Sequence, residues 1–275
     1  MINHKSASRS LLLSLSILAM SCLMPRLALG EVLTIRSVKQ TDLHTLIEEP
    51  ANAGKKIKAN LILLVGGNGV LKLNKKGTFK QKQNNFLTRT RKMFQARGYL
   101  TALVGAPLAK QNKKGLRGFR TKAGHAKDLA KIARQLKARN KLPVIIIGTS
   151  RGTISAANAA SRDRSNFIDG VILSSTLLVG SKNKSINGVA GTKISVPVLI
   201  AHHQKDGCKK TPYGRARKLV RKLQAAGIAT ALQSFTGGHT RSKPCKGLSY
   251  HGFLGIEKKV IEAMIAWMEQ QVLSN

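Results

Sequence analysis

Short apolar segments alternate with helical patterns along most of this 275-residue chain, and this alternation constrains the fold more than any other feature. Such segments predict strands at residues 61–65, 100–104, 144–147, 170–174, 196–201 and 228–235. A strand that is apolar throughout is buried on both faces, which is typical of a mainly parallel sheet with helices on each side. We therefore predict an α/β fold, organised as one domain over residues 31–275.

The connecting segments carry the other half of the pattern. Apolar side chains recur at helical intervals within residues 86–94, 129–136, 219–223 and 256–268. Near the start, residues 31–38 and 43–48 alternate as an edge hairpin does. The stretch 177–195 is too short for a large cap, so we expect little or no cap domain and a rather open site.

One turn between a predicted strand and a predicted helix carries a candidate nucleophile. The sequence Gly148-Thr149-Ser150-Arg151-Gly152 has the form G-x-S-x-G, and the run of small residues after it suits a helix close to a sheet. This strand–turn–helix context is that of a nucleophile elbow, in which the two glycines avoid collisions around a sharp turn. We predict that Ser150 is the nucleophile; the alternative is a plain turn punctuated by glycines.

A nucleophilic serine needs a base and a carboxylate that orients the base. Only six carboxylates follow Ser150, and Asp206 is the one that comes after the carboxyl end of a predicted strand. Two histidines follow Asp206 at suitable positions, His239 after the last strand and His251 just before the closing helix. We favour His251 because the Gly252-Phe253 turn and the helix would hold it rigidly, and His239 stays the alternative base.

The oxyanion of an acyl-transfer intermediate needs two hydrogen-bond donors. The backbone N–H of Arg151, directly after the nucleophile, is one candidate. The second is expected from the loop after strand 61–65, at Gly67 or Asn68, where the neighbouring glycines let backbone amides face the site. A plain turn at the strand end is the alternative interpretation of this loop.

The first thirty residues have the three-part pattern of a secretory signal. Lys5 and Arg9 precede an apolar run at 11–24, and small residues stand at Ala28 and Gly30. We predict a signal peptide over residues 1–30, cleaved near Gly30, with a retained membrane anchor as the alternative. Export would place the chain in the periplasm or outside the cell.

Cleavage would also leave an even number of cysteines. It removes Cys22 and leaves Cys208 and Cys245, a pair that can form a disulfide in an oxidising compartment. Cys208 lies two residues after Asp206, and Cys245 lies six residues from either candidate histidine. A bridge between them would therefore fasten the acid loop to the histidine loop.

Four segments carry a resemblance to a known family, namely Leu64–Gly69, Asn85–Arg91, Gly148–Thr153 and His251–Glu257. From Leu61 onward the chain resembles the α/β-hydrolase superfamily, and within it the small, cap-poor hydrolases that bacteria export. The resemblance implies a serine hydrolase with a Ser-Asp-His triad, and the last segment favours His251 over His239. It implies nothing about the acyl or alcohol group of the substrate.

These patterns together predict an exported serine hydrolase that cleaves a small-molecule ester, with a thioester or an amide less favoured. No cofactor or metal is expected: His202-His203 lacks a zinc-binding pattern, and a structural role at a strand end suits it better. Two alternatives remain, a peptidase or acyltransferase with the same triad, and a basic protein that binds cell-surface polyanions on a hydrolase scaffold. A monomer is expected.

The charge balance is strongly basic, with 48 Lys and Arg against 11 Asp and Glu. Removal of the predicted signal peptide, which holds three cations and no carboxylate, would lower the net charge from +37 to +34. A solvated basic surface is the simplest interpretation, and weak attachment to anionic surfaces is the alternative. Aromatic residues are only 4% of the chain, which argues against specific nucleic-acid binding.

Arg120 could meet a substrate carboxylate, but we expect a surface cation there.

Overall fold

An eight-stranded sheet lies at the centre of the computed structural model, which describes residues 1, 30–50, 56–181, 185–189 and 194–274. In chain order, the strands are β1 (Glu31–Arg36), β2 (Asp42–Glu48), β3 (Asn60–Leu64), β4 (Leu100–Val104), β5 (Val144–Thr149), β6 (Gly170–Ser174), β7 (Val198–His203) and β8 (Thr230–Phe235). The α-helices are α1 (Phe86–Gln95), α2 (Ala123–Asn140), α3 (Gly152–Ala160), α4 (Tyr213–Ala225) and α5 (Glu257–Met268).

The strand order in the sheet is β1-β2-β4-β3-β5-β6-β7-β8. Strands β3 to β8 pair in parallel, whereas β1 and β2 form an antiparallel edge next to β4. The predicted α/β architecture with a mainly parallel sheet is therefore confirmed. The carboxyl ends of the parallel strands meet at one edge, and ligand sites of open α/β sheets lie there.

Side chains of the central strands point alternately into two apolar cores. In β3, Ile62 and Leu64 pack into the core beneath α2, α3 and α4, and Leu61 and Leu63 pack into the core beneath α1 and α5. Both faces of the sheet are thus covered by helices, which explains why these strands are continuous apolar runs.

Some predicted boundaries shift, and some predictions fall on parts of the chain that the structure does not describe. Strand β7 begins two residues later than predicted and continues through His203, so both neighbouring histidines are buried in the sheet. The predicted signal peptide lies outside the described residues, apart from Met1 and Gly30. The segment 177–195 is described in part, with a short 3₁₀ turn at Ile186–Gly188. No helix within the described ranges is long and apolar enough to cross a membrane.

The close approach of α3 to β3 depends on a glycine. A Cβ added to Gly152, the first residue of α3, would collide with the backbone carbonyl oxygen of Leu64 at the end of β3. That oxygen cannot move without displacing the central strand, so helix α3 tolerates no side chain at this position.

We predict that Gly152→Ala lowers the free energy of unfolding by about 1–3 kcal/mol, because the added methyl group forces α3 away from the sheet. Gly214→Ala in α4 is the matched control, since no atom lies within 4 Å of its added Cβ. There alanine should raise stability by about 0.5–1 kcal/mol through its better helix propensity. Urea unfolding of both variants measures the difference, and equal effects would contradict the close approach.

Candidate active site

Ser150 occupies a strained turn at the carboxyl end of β5. Its φ is +53°, in the left-handed region that non-glycine residues seldom adopt. The backbone N–H of Ser150 donates to the carbonyl of Ser174 at 3.0 Å, which fixes the turn against the end of β6. A Cβ on Gly148 would lie 2.5 Å from the carbonyl oxygen of Gly152, so the predicted need for glycine at these two positions is confirmed.

The loop after β3 passes directly beside this serine. A Cβ added to Gly66 would lie 2.9 Å from the Cβ of Ser150. Any larger residue at position 66 would therefore push the serine side chain away. Sequence reasoning overlooked Gly66, although the glycine cluster after the strand was the available signal.

Asp206 and His251 form a buried pair next to this turn. The Nδ1 of His251 lies 2.9 Å from Oδ2 of Asp206, and only 4% of His251 is exposed. The hydroxyl of Thr211 donates to the same carboxylate oxygen at 2.8 Å, and the backbone N–H of Cys208 donates to Oδ1 at 3.0 Å. The carboxylate thus accepts hydrogen bonds at both oxygens, which fixes its orientation toward the imidazole.

The environment keeps Asp206 ionised. Burial alone would raise the pKa of its carboxyl, but the hydrogen bond and charge of His251, together with the donors from Cys208 and Thr211, hold the pKa below its ordinary value. A proton on Nδ1 of His251 then faces the carboxylate, which leaves Nε2 of the neutral ring as the acceptor.

That second nitrogen is available for proton transfer. Nε2 of His251 is buried and has no hydrogen-bond partner among the residues that the structure describes. His251 and Ser150 line the same small cavity, of about 40 Å³, together with Gly66 and Cys245. The histidine that shares a cavity with the elbow serine is therefore the one that contacts Asp206.

His239 lies elsewhere. Its side chain is exposed, and its backbone N–H donates to the carbonyl of Leu254 at 3.0 Å. It neither lines the cavity of Ser150 nor contacts Asp206. Of the two candidate bases, the geometry brings only His251 to the predicted acid.

A half-buried arginine, which the sequence analysis did not single out, holds the loop that carries His251. Arg89 of α1 donates to the carbonyls of Gly247 at 2.9 Å and Gly252 at 2.8 Å, and it forms a 2.6 Å ion pair with Glu257. It therefore binds the chain on both sides of His251. The signal was present in the Asn85–Arg91 segment, which carried the family resemblance.

Two hydroxyl groups complete the support of His251, and no sequence pattern indicated either of them. Ser175 donates from Oγ to the backbone carbonyl of His251 at 2.7 Å. Oγ1 of Thr211 lies 3.2 Å from Nδ1 of the same histidine. Their roles depend on loop packing and not on any motif.

The candidate oxyanion donors are free to bind. The backbone N–H groups of Gly67, Asn68 and Arg151 have no acceptor within the part of the chain that the structure describes. Gly67 has a φ of +62°, which suits glycine, and the carbonyl of Asn68 accepts from the N–H of Leu116 at 2.8 Å. The loop is thus anchored by its carbonyl and leaves its amides unpaired.

The predicted disulfide is confirmed. Cys208 and Cys245 are bonded, with a sequence separation of 37 residues. Because Cys208 donates its N–H to Asp206 and Cys245 lines the cavity of His251, the bridge joins the acid loop to the histidine loop as expected.

Cations crowd the surroundings of the elbow. Burial, aided by Lys246 and Arg120, lowers the pKa of Lys82, whose Nζ would lie 3.3 Å from a Cβ on Gly67. Arg120 corrects our expectation of a surface cation, since only 4% of it is exposed. A Cβ on Gly69 would lie 2.6 Å from Nη2 of Arg120. The absence of a side chain at this turn therefore leaves room for the buried guanidinium.

The neighbouring histidines of β7 have structural partners. Nε2 of His202 lies 2.8 Å from the carbonyl oxygen of Thr211, and Nε2 of His203 lies 2.9 Å from that of Gly237. Both contacts tie loops to the strand end, the role predicted for this pair. In the described ranges, no group of three or more His, Cys, Asp or Glu side chains is arranged to hold a metal ion.

Comparison with known proteins identifies the fold. No protein-family model matches the chain, and no curated protein is similar to it in sequence. Among solved structures, a cold-adapted esterase from an Arctic intertidal metagenomic library superposes with a TM-score of 0.59 at 14% identity, covering 88% of this chain and 93% of that one. An alpha-beta serine hydrolase homologue from Coxiella burnetii gives a TM-score of 0.55 at 17% identity, covering 87% and 96%.

A larger enzyme also contains this architecture. A puromycin-hydrolyzing peptidase from Mycobacterium tuberculosis superposes with a TM-score of 0.63 at 13% identity over 89% of this chain. The chain spans only 39% of the length of that peptidase. Together with the sheet order and the elbow, these similarities show that the chain has the α/β-hydrolase fold.

We predict that breaking the bridge with Cys208→Ser and Cys245→Ser lowers the free energy of unfolding by about 4 kcal/mol. The chain-entropy model gives that value for closure of a loop of roughly 37 residues. Turnover should fall as well, because the acid and histidine loops lose their connection. Denaturant unfolding measures the stability and an ester assay the turnover; two free thiols titrated in the folded native protein prepared under oxidising conditions would contradict the prediction.

Proposed function

We propose that the chain is an exported serine hydrolase that cleaves an ester through Ser150, His251 and Asp206. The observation that carries the proposal is the 2.9 Å contact between Asp206 and His251, at the cavity that the elbow serine also lines. A strained serine, an imidazole and a buried carboxylate in this order are the parts that acyl transfer requires.

Acylation follows from the positions of these groups. Oγ of Ser150 attacks the carbonyl carbon, and its proton passes to Nε2 of His251, which no other described residue engages. Asp206 stabilises the imidazolium that forms, through its contact with Nδ1. The new oxyanion accepts hydrogen bonds from Arg151 N–H and from Gly67 or Asn68 N–H, which are unpaired within the described ranges.

Release and deacylation reverse the proton transfer. The C–O bond to the alcohol breaks as His251 returns its proton to the leaving oxygen, which leaves an ester between Ser150 and the acyl group. Water then gives a proton to Nε2 of His251 and attacks that ester, and the acid product departs as Ser150 regains its hydrogen. These steps require no cofactor.

An amide is the second substrate class that an observation favours, since a puromycin-hydrolyzing peptidase is among the structures with this fold. An anilide matched to a cleaved ester in its acyl group separates the two classes. We expect the ester to be cleaved faster, because its leaving oxygen needs less help from a proton donor. If neither compound is cleaved, the result favours the alternative that the chain is a basic polyanion-binding protein.

Export is part of the same proposal. The disulfide supports it, because disulfides persist in oxidising compartments. The N-terminal pattern supports cleavage near Gly30. We further propose that the chain acts on a small molecule as a monomer and that its basic surface gives at most weak attachment to anionic surfaces.

We predict that Ser150→Ala abolishes labelling by a fluorophosphonate probe and lowers ester turnover by about four to six orders of magnitude. The fold should persist, which circular dichroism checks. Ser165→Ala, which removes an exposed hydroxyl, is the matched control and should be labelled normally. Retained turnover in folded Ser150→Ala would rule out this nucleophile.

We predict a large difference between two histidine variants. His251→Ala should lose at least about a thousandfold in kcat/KM, because the proton acceptor and its link to Asp206 disappear. His239→Ala should keep most of its activity, because His239 is exposed and makes no contact with Asp206. Steady-state hydrolysis of one ester compares them, and an inactive His239→Ala beside an active His251→Ala would reverse the assignment.

A further inference from the structure

A second, larger cavity lies beside the nucleophile elbow and has an unusual lining. Its volume is about 300 Å³, near the lower limit for small-molecule sites. Its apolar walls include Ile154 and Leu177, and its charged residues are all cations: Arg117, Arg120, Arg151 and Lys210. Arg151 directly follows Ser150 in the chain, so this cavity adjoins the elbow, while Ser150 itself lines the smaller cavity.

Arg120 is the buried cation of this cavity. It donates from Nη1 to the hydroxyl of Ser155 at 2.6 Å and from Nη2 to the carbonyl of Val65 at 2.9 Å. Its Nε is buried and has no acceptor in the part of the chain that the structure describes. A guanidinium has five N–H donors, so these two contacts leave donors free to form the paired hydrogen bonds that a carboxylate accepts.

No carboxylate of the chain neutralises this cavity. All eleven acidic residues lie in described ranges, and the ion pairs they form there involve other cations. The two acidic residues without an ion pair, Asp128 and Asp163, accept hydrogen bonds from Ser37 and Ile168 instead. A buried charge without a partner is costly, so a partner from outside the chain is the simplest explanation for keeping Arg120 there.

The cations of the cavity also repel one another. Burial, with the charge of Arg151, lowers the pKa of Arg120 to about 9. Burial and the charge of Arg117 lower the pKa of Arg151 in the same way. An anion among these side chains would relieve both effects, because an opposite charge favours the protonated form.

We infer that this cavity binds a carboxylate of the substrate, carried on a short aliphatic chain, with Arg120 as its principal contact. The inference rests on the proposed ester hydrolysis and narrows its substrate class to esters that carry a second, free carboxylate. The apolar walls contact the aliphatic part, and Arg117 and Lys210 attract the anion from the exposed rim.

Two matched pairs of esters test this inference, one for each side of the scissile bond. Monomethyl glutarate and methyl pentanoate differ by a carboxylate on the acyl side, and γ-acetoxybutanoate and butyl acetate differ by one on the alcohol side. For at least one pair, we expect the anionic ester to have a kcat/KM about tenfold or more above that of its neutral partner at low salt, as charge-assisted contacts provide.

Arg120→Gln should reduce that ratio to about one, and Arg120→Lys should restore only part of it because the fork of donors is lost. Arg134→Gln on the outer face of α2 removes the same charge from an exposed site and should leave the ratio unchanged. If Arg120→Gln fails to fold, the rim variant Arg117→Gln with Lys210→Gln decides, and its ratio should fall about threefold or more.

A binding measurement separates this inference from the proposed function. Calorimetry with Ser150→Ala should detect one monomethyl glutarate or γ-acetoxybutanoate per chain, and the binding should vanish when Arg120→Gln is added. Binding of these esters, without any turnover or probe labelling of the unmodified protein, would support the carboxylate site and contradict the proposed hydrolase activity. Turnover of neutral esters with equal rates for both members of each pair, or a ratio unchanged in folded Arg120→Gln, would overturn the carboxylate site and leave the hydrolase standing.

Discussion

The candidate site depends on the strained turn at Ser150 and on the backbones packed around it. A φ of +53° persists at a serine only when the surroundings determine it, here the bond to Ser174 and the approach of Gly66 and Gly152. These contacts join three parallel strands and helix α3 at one point. The packing of the sheet therefore determines the direction in which the hydroxyl of Ser150 points.

Local patterns predicted the parts of the fold that local forces determine. Strands β4 and β6 begin and end where the sequence indicated, and helix α3 follows the elbow as the run of small residues predicted. Asp206 could be proposed as the acid because only six carboxylates follow Ser150, and the structure places it against His251. The cysteine spacing likewise pointed to a bridge between the two loops, since both cysteines flank candidate residues.

Other features depend on contacts between distant segments, and the sequence could not show them. Spacing allowed either histidine to reach Asp206, and the structure brings His251 into contact with it, within a loop that Arg89 and Ser175 hold. Arg120 was wrongly predicted to be a surface cation for the same reason. An arginine in a basic, polar stretch looks exposed, and nothing nearby in sequence shows that the turn at Gly69 leaves room for it.

Burial distinguishes the cations that bear on chemistry from those that serve solubility. Most of the basic side chains are exposed, where water and salt screen their charge and little function can be inferred from their number. Arg120 is different because its charge is removed from water and opposed by no carboxylate. All eleven acidic residues are engaged elsewhere, Asp206 among them with His251, and none lines the cavity of Arg120. The scarcity that made Asp206 recognisable thus also leaves the neighbouring cavity electrostatically incomplete, and a substrate carboxylate would complete it.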